Sequence, residues 1–397
     1  MTKIDPPLYI MSAVRTPIGS YLGALSTLTA PELGARAIEV ALTRANAKPA
    51  QVGEVYFGNV LSAGIGQAPA RQAALKAGLP NSVPCTTVGK VCGSGLQAVI
   101  LGAKSLALGD ADVVVAGGME SMSRVPYYLD KARSGYRMGD GKLVDGMIFD
   151  GLWDPYNDFH MGRAGELCAE KYRCSRQAQD AFATESYTRA MRAIAEGRFA
   201  AELAPVVIPG SKGSSTEVTE DEEPGRGKPE KFAQLKPAFA PEGTITAGNA
   251  SSINDGAAAL VLANDAGKKQ LGGGPPLATI VGYASAAQAP EWFTTAPALA
   301  IKRVLEKLNL GPGDIDLWEI NEAFSCVTLA CAELCDVPLE KVNVHGGAVA
   351  LGHPIGATGA RILTTLVHAL QHYDKQRGLA TLCIGGGEAL AVVVERK

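Results

Sequence analysis

Three short stretches set reactive side chains among glycines: "KVCGSGLQAVI" from Lys90, "GGAVALGHPIGATGAR" from Gly346 and "LCIGGGEAL" from Leu382. In the first, Cys92 precedes Gly93 and Gly95 where a strand is expected to turn into a helix. Helix amides favour an anion there, so a thiol at that turn can act as a nucleophile. A free thiol is only a few per cent thiolate near neutral pH and needs a base within reach. His353, placed before Pro354 in a glycine-rich run, lacks the periodic setting of a helix-face or core histidine and is the candidate general base. Cys383 ends an apolar run, and the N–H groups of the following glycines could point at a substrate oxygen. Asn321, in "EINEAF", ends another apolar run; its amide could orient a water or donate to an oxyanion, an Asx turn being the ordinary alternative. His160, in "DFHMG", is either structural or an imidazole covering a polar ligand. A cysteine is ordinarily a small buried apolar residue, so the chemical reading requires that these segments meet.

The elements that must bring them together alternate between strand and helix. "LYIMSAV" reads as a strand, and "TAPELGARAIEVALTRA" as a helix opened by a Thr29–Glu32 capping box, with Leu33, Ala37, Val40 and Ala41 on one face. "EVYFGNVL" reads as a second strand, "GLQAVILGAKSLALG" as a helix and "DVVVAGG" as a buried strand, which is α/β grammar. The last third repeats it. "VYFGNV" is matched by "LWEINEA", and the segment from Cys92 to Glu120 by the one from Gly352 to Glu388: glycine-rich turn, helix, strand, glycines, acidic residue. A duplication would set two similar halves face to face with their glycine-rich turns in contact. Between them, from Ser123 to Gly248, a Tyr-, Pro-, Gly- and charge-rich segment surrounds one clear helical window, "SRQAQDAFATESYTRAMRAIAEG", as an insertion covering a site would. The acidic cluster Glu220–Glu223 within it reads as a solvated loop.

Composition narrows the function classes. The chain has 397 residues, 47% hydrophobic and 19% charged, with a net charge of −3, so no surplus of charge points to nucleic acid or an anionic membrane. No uninterrupted apolar run reaches membrane-span length, the start "MTKIDPPLYI" has no signal-peptide or transit-peptide character, and the end "VVVERK" is not a peroxisomal tail. Eight cysteines without a CxxC pair argue against zinc and a disulfide framework, and a reducing, cytoplasmic location is expected. No phosphate loop, HExxH pair or dinucleotide fingerprint points to nucleotide hydrolysis, zinc proteolysis or hydride transfer.

Together, "VCGSGLQAV", "GGMESMS", "HMG", "TAGNASSINDGAAA", "NEAF", "GGAVALGHPIGATGAR" and "CIGGG" resemble the thiolase family, most closely its acetoacetyl-CoA-forming members. The resemblance implies an α/β thiolase fold of two βαβαβαββ halves in a five-layered αβαβα core with an inserted loop domain. The halves would be residues 1–122, completed by 251–272, and 273–397, with the insertion at 123–250. The implied activity is condensation of two acetyl-CoA to acetoacetyl-CoA and CoA, reversible by thiolysis, with no prosthetic group. The implied partners are these CoA compounds and copies of the chain in a homotetramer, without nucleic acid or membrane. By the same resemblance Cys92 becomes acetylated, His353 activates it, and Cys383 is the acid/base toward the second substrate. Asn321 holds a water that forms one oxyanion hole with His353, and the Cys92 and Gly385 amides form the other. Leu152, His160, Met161, Arg226, Phe239, Ala247, Ser251, Phe293, Ala323 and Phe324 would line the CoA site. Tyr187, the carbonyls of Ala247, Gly248 and Ala250, and Val349 would hold a potassium ion, Gly248 standing where the family has alanine. Glu388 departs from the usual small or apolar residue and is expected to point away from the site. The competing readings are a broader short-chain 3-ketoacyl-CoA thiolase, a decarboxylating ketoacyl synthase, against which Cys383 argues, and a silent acyl-CoA-binding scaffold, which would lack one of the three reactive residues.

Overall fold

The computed structural model describes residues 6–210 and 213–396; the two ends of the chain and residues 211–212 of the Ser/Gly/Lys-rich loop lie outside the described residues. Nine strands form one long hydrogen-bonded path. In chain order they are β1 (Leu8–Arg15), β2 (Glu54–Gly58), β3 (Cys85–Val88), β4 (Val113–Ser121), β5 (Asn254–Ala263), β6 (Ala278–Ala287), β7 (Leu317–Ile320), β8 (Arg377–Ile384) and β9 (Glu388–Glu395). Their spatial order is β7-β8-β9-β6-β1-β5-β4-β2-β3, with Gly19–Ser20 added beside β5. The two halves of this order mirror each other. In each, a parallel pair (β2–β4, β7–β8) runs into antiparallel neighbours (β4–β5–β1, β8–β9–β6). The place of β3 is taken in the second half by a single bridge between Trp318 and Val342. The halves join where Leu8–Ile10 pairs antiparallel with Ala278–Ile280.

Strand alternation builds the layers. Residues one apart on a strand face opposite ways, and in β4 Val113, Val115 and Met119 join one apolar cluster while Val114 and Ala116 join another. In β9, Ala389, Ala391 and Val393 face outward, whereas Leu390, Val392 and Val394 face the same inner cluster as Val114. That shared cluster contains α3 (Ser94–Leu108) and α8 (Ile355–His372), so these two helices lie between the half-sheets. Helices α1 (Ala30–Arg44) and α2 (Pro69–Lys76) cover the outer face of the first half. Helices α4 (Met161–Lys171), α6 (Ala296–Leu308) and α7 (Ser325–Leu334) cover the second. The result is the αβαβα sandwich expected. One helical window, Val91–Leu108, is apolar and long enough to cross a membrane, a length the sequence reading did not credit; its apolarity is accounted for by burial on both sides.

Several local expectations hold and others need correction. The Thr29–Glu32 capping box opens α1, but Ile38 rather than Val40 is buried on its inner face. The second strand stops at Gly58, because Asn59 turns inward to bond Met119 and Glu120. The helical window of the insertion forms α5 (Arg176–Ala195), capped by Ser175, whereas α4 carried no periodic signal long enough to read. The acidic cluster is not a solvated loop. Asp221 is buried in a two-pronged bond with Arg15, and Glu222 accepts the N–H groups of Ser20 and Ala24, so the cluster fastens the insertion to the first half.

Candidate active site

The two glycine-rich turns meet because glycines remove the side chains between them. A Cβ on Gly95 would lie 2.8 Å from the Ala360 nitrogen, and one on Gly359 would lie 2.4 Å from the Leu96 nitrogen, so the first turns of α3 and α8 touch backbone to backbone. This contact brings Cys92, just before α3, and His353, just before α8, to one end of the central layer.

Cys92 sits on a strained turn. Val91 has φ +42°, a conformation that β-branched residues rarely adopt. The Ser94 hydroxyl donates to the Val91 carbonyl at 2.7 Å and accepts the Lys90 N–H at 2.8 Å, and these bonds hold the turn closed. Cys92 is half-buried and packs against the cluster of Leu61, Met122, Met147 and Ile355, with Leu152 beside it. Burial pushes it up to about 12, against the pull of the Gly385 and Cys92 N–H groups and with the push of the Glu120 carboxylate. The Gly385 and Cys92 N–H groups, the pair expected to form one oxyanion hole, are thus the groups that favour the Cys92 thiolate. Cys383, at the end of β8, is fully buried, and burial together with the nearby charge of Cys92 pushes it well above the ordinary thiol range. Cys383 thus feels the charge of Cys92, and it is followed by the turn of Gly385–Gly387, where Gly386 and Gly387 both have φ +88°.

His353 is buried and its ring is held by one side chain. Nδ1 lies 2.7 Å from the Thr358 hydroxyl, which donates in turn to the Pro354 carbonyl at 2.9 Å. That hydroxyl therefore accepts from Nδ1–H and leaves the lone pair on Nε2, which is buried without a protein partner. Burial, with the Arg361 guanidinium adding to it, depresses the imidazole to about 3. The His353 N–H is fixed by the Asn254 side chain at 2.9 Å. Asn321 is buried beyond β7 with both side-chain polar atoms unpaired in the protein, as a residue that binds a water or a ligand oxygen would be.

The residues expected to line the CoA site divide into groups. His160 caps α4 by accepting the Gly162 N–H at 3.1 Å and stacks on Phe239 at 4.8 Å; Phe239 meets Phe324 edge-on at 6.0 Å. Phe293, Ala323 and Phe324 belong to the cluster that contains Cys383, with Met161 packed against it. Ser251 donates to the Ala323 carbonyl through both its N–H and its hydroxyl. Leu152 lies with Cys92. A cavity of about 360 Å³ opens over Val91, Gly385 and Met161, walled by Gly151, Trp153 and Tyr156. A larger one, about 650 Å³, lies between α4 and residues 240–244, where the Glu166 carboxylate is already taken by the Thr244 and Ile245 amides. The smaller cavity is the one that borders the chemistry. Arg226 and Ala247 are exposed; Arg226 pairs with Glu222, and its neighbour Gly227 lies against the Tyr187 ring. Tyr187, Gly248 and Val349 gather around Phe232, Tyr187 edge-on at 5.4 Å. A Cβ on Gly248 would lie 2.7 Å from the Phe232 ring, so the ring takes the space that an alanine methyl would need.

The first family description, "Thiolase, N-terminal domain", matches residues 8–266, and "Thiolase, C-terminal domain" matches 274–396. The chain belongs to the thiolase family. This thiolase is 54% identical over 388 residues to acetyl-CoA acetyltransferase 2 of Arabidopsis thaliana, covering 97% of this chain and 96% of the relative. It is 50% identical over 391 residues to a cytosolic acetyl-CoA acetyltransferase of Gibberella zeae, covering 98% of each. Among solved structures it resembles the Acat5 thiolase of Ascaris suum in complex with coenzyme A, with a TM-score of 0.93 and 44% identity, covering 98% of this chain and 100% of that one. Sequence reasoning about this thiolase overlooked Thr358, Asn254 and Glu120, although each lies in a motif it quoted. It also did not anticipate the ion pair of Lys90 with Glu388, which turns Glu388 toward Lys90 at the edge of the site.

Proposed function

We propose that this thiolase is an acetyl-CoA C-acetyltransferase that joins two acetyl-CoA molecules through an acetyl-Cys92 intermediate. The observation that carries the reading is the pair of thiols on opposed turns, Cys383 within the charge of Cys92, with the turn into α3 packed against the turn into α8 that carries an imidazole whose buried Nε2 has no protein partner. In the first half-reaction Nε2 takes the Cys92 proton as sulfur attacks the thioester carbonyl. The Cys92 and Gly385 N–H groups stabilise the oxyanion. Collapse releases CoA, and the imidazolium returns its proton to the leaving sulfur. In the second, the Cys383 thiolate removes a methyl proton from acetyl-CoA. With Cys92 acetylated, no thiolate can form there to oppose the charge on Cys383. The enolate oxygen is held by His353 and a water on Asn321. The enolate carbon attacks the acetyl-Cys92 carbonyl, and collapse breaks the C–S bond to give acetoacetyl-CoA and the Cys92 thiolate; transfer of the proton held by Cys383 to that thiolate restores the starting enzyme. Steady-state assays with acetyl-CoA, and with acetoacetyl-CoA plus CoA, test this; absence of CoA release and of a Cys92 acetyl adduct by intact mass would sink it.

Short substrates are favoured by Met161 and Phe293, which pack in the cluster around Cys383. One excess methylene is worth about 1–3 kcal/mol, so discrimination should steepen with chain length. Thiolysis of 3-ketohexadecanoyl-CoA as efficient as that of acetoacetyl-CoA would favour the broader reading. A potassium ion fits beside Tyr187: among the described residues no backbone or side-chain hydrogen bond occupies the Ala247, Gly248 or Ala250 carbonyls, and carbonyl oxygens suit alkali ions. Equal stability in potassium chloride and in a large organic cation salt would count against it. Residues 123–250 act as one inserted unit between halves 1–122 with 251–272 and 273–397. The insertion exposes Tyr127, Leu129, Met138, Leu143 and Phe149, which supports a homotetramer; a mass of 41.2 kDa in solution would contradict assembly. A cytoplasmic location accords with eight unpaired cysteines and with the cytosolic Gibberella zeae relative.

A further inference from the structure

We propose that Glu120, the acidic residue of "GGMESMS", is a positioning residue that holds both walls of the Cys92 pocket in register with His353; the proposal rests on the acyl-transfer reading of that pocket. Glu120 is fully buried near the end of β4. Its Oε1 accepts from Asn59 Nδ2 at 2.8 Å and the Leu61 N–H at 3.2 Å, and its Oε2 from the Val60 N–H at 3.1 Å and the Gly356 N–H at 3.0 Å. Three of these donors, Asn59, Val60 and Leu61, belong to the turn after β2 in the first half. The Gly356 donor opens α8 in the second half, three residues beyond His353. One carboxylate therefore spans the seam between the halves.

The bonded amides lie in, or next to, the residues that enclose the nucleophile. Leu61 and Val60 form one wall around Cys92, and Ile355, whose neighbour Gly356 is held by Oε2, forms the other. The fit is tight, since a Cβ on Gly356 would lie 2.5 Å from Oε2. Four N–H donors fill the acceptor sites of an ionised carboxylate, and a glutamine in its place would turn an NH2 group onto two of them. Burial pushes Glu120 up to about 7, with the Asp255 carboxylate adding to it and the Val60, Leu61 and Gly356 amides opposing. The charge also bears on Cys92, on which the Gly385 and Cys92 N–H groups act in the opposite sense, while Cys383 feels the Cys92 charge and the Lys90–Glu388 pair joins the flanking turns.

Two variants separate positioning from simple support of the fold. In Glu120→Gln the rate of first-turnover CoA release should fall by about 10²-fold, the scale expected when a reacting group is displaced by about 1 Å, with little change in KM. Alkylation of Cys92 by iodoacetamide should shift to lower pH, because a nearby negative charge is gone. In Asn59→Ala, which removes one donor and keeps the charge, the first-turnover rate should fall by about tenfold or less, and the alkylation profile should stay in place. A folded Glu120→Gln protein with the wild-type first-turnover rate and alkylation profile would overturn the proposal. If that variant does not fold, a wild-type rate in Asn59→Ala overturns it instead. The alkylation arm uses no acetyl-CoA, so wild-type protein that alkylates normally but never becomes acetylated would instead refute the acyl-transfer reading.

Discussion

The turn into α3 and the turn into α8 hold matching places in the two halves, yet they present their reactive atoms by different means. Cys92 is fixed by backbone: a β-branched residue forced to φ +42°, a Ser94 hydroxyl closing the turn, and backbone N–H groups that favour the thiolate. His353 is fixed by side chains, with Asn254 on its N–H and Thr358 on Nδ1, and it is reached through Gly352 at φ +105°. The difference follows from the atoms. A thiol needs a location and donors for the charge it develops, whereas an imidazole must also have the lone pair on the correct nitrogen, which only a partner on the other nitrogen can settle.

The largest expected effect breaks the comparison at the sulfurs themselves. Cys92→Ala should abolish both the acetyl adduct and turnover. Cys383→Ala should stop condensation, a loss of about 10² to 10⁴ for a general acid/base, while Cys92 still becomes acetylated and releases one equivalent of CoA. Because the groups act as a unit, the double variant should be scarcely worse than Cys92→Ala. Intact-protein mass spectrometry after brief exposure to acetyl-CoA reads the outcome. An adduct on Cys383 with Cys92→Ala still turning over would reverse the roles.

Next is the means by which His353 is held. Thr358→Val keeps the shape of the side chain and removes the hydroxyl, freeing the ring to take the other tautomer. A loss of about 10- to 10²-fold in first-turnover rate is expected, with KM nearly constant, and Thr358→Ser should recover most of it. Equal activity of the valine and wild-type proteins would show that burial alone orients the imidazole.

The depressed pKa of His353 has a sign that stability measurements can check. The folded value is about 3 against an ordinary 6.5, so the unfolded chain binds the proton more readily. The stability linked to this histidine is fully present above pH 6.5 and is lost as pH falls from 6.5 toward 3. His353→Asn should therefore lose stability less steeply than wild type across that window, with parallel curves above it. Buried His345, depressed to about 4, contributes to both proteins and cancels in the difference. Identical slopes below pH 6 would mean that His353 is protonated within the fold.

Much of the fold was legible because period and punctuation carry it: the capping box at Thr29, the apolar run of α3, and the glycine-rich turns whose repetition matched the two half-sheets. Cys92, His353 and Cys383 stood out because reactive side chains among glycines are unlike core residues. What could not be read depends on partners far apart in the chain. Glu120 resembles any acid after a strand until Asn59 and Gly356 are seen beside it, and Asp221 resembles a solvent-facing charge until Arg15 is placed against it. Helix α4 escaped because His160 rather than a familiar cap begins it, and its apolar face includes Gly165 and Cys168, which weaken the pattern.

The smallest expected effect sharpens the comparison at its edge, where Lys90 of the Cys92 turn meets Glu388 beyond the Cys383 turn. The pair joins the two thiol-bearing turns, but its side chains are 23% and 39% exposed, so solvent screens it. Such pairs contribute about 0–1 kcal/mol, and a change of that size alters a rate by about fivefold at most. Glu388→Gln and Lys90→Met should each lower kcat/KM within that range. The loss should shrink in high salt, and the double variant should match either single one, because the shared interaction is removed only once. The alternative is that Glu388 faces the reacting carbons, where a negative charge would oppose formation of the enolate; neutralising it would then raise kcat rather than lower it. An increase in condensation rate with Glu388→Gln, absent with Lys90→Met, would place the carboxylate in the site and undo the assignment of the pair as an exposed clamp between the turns.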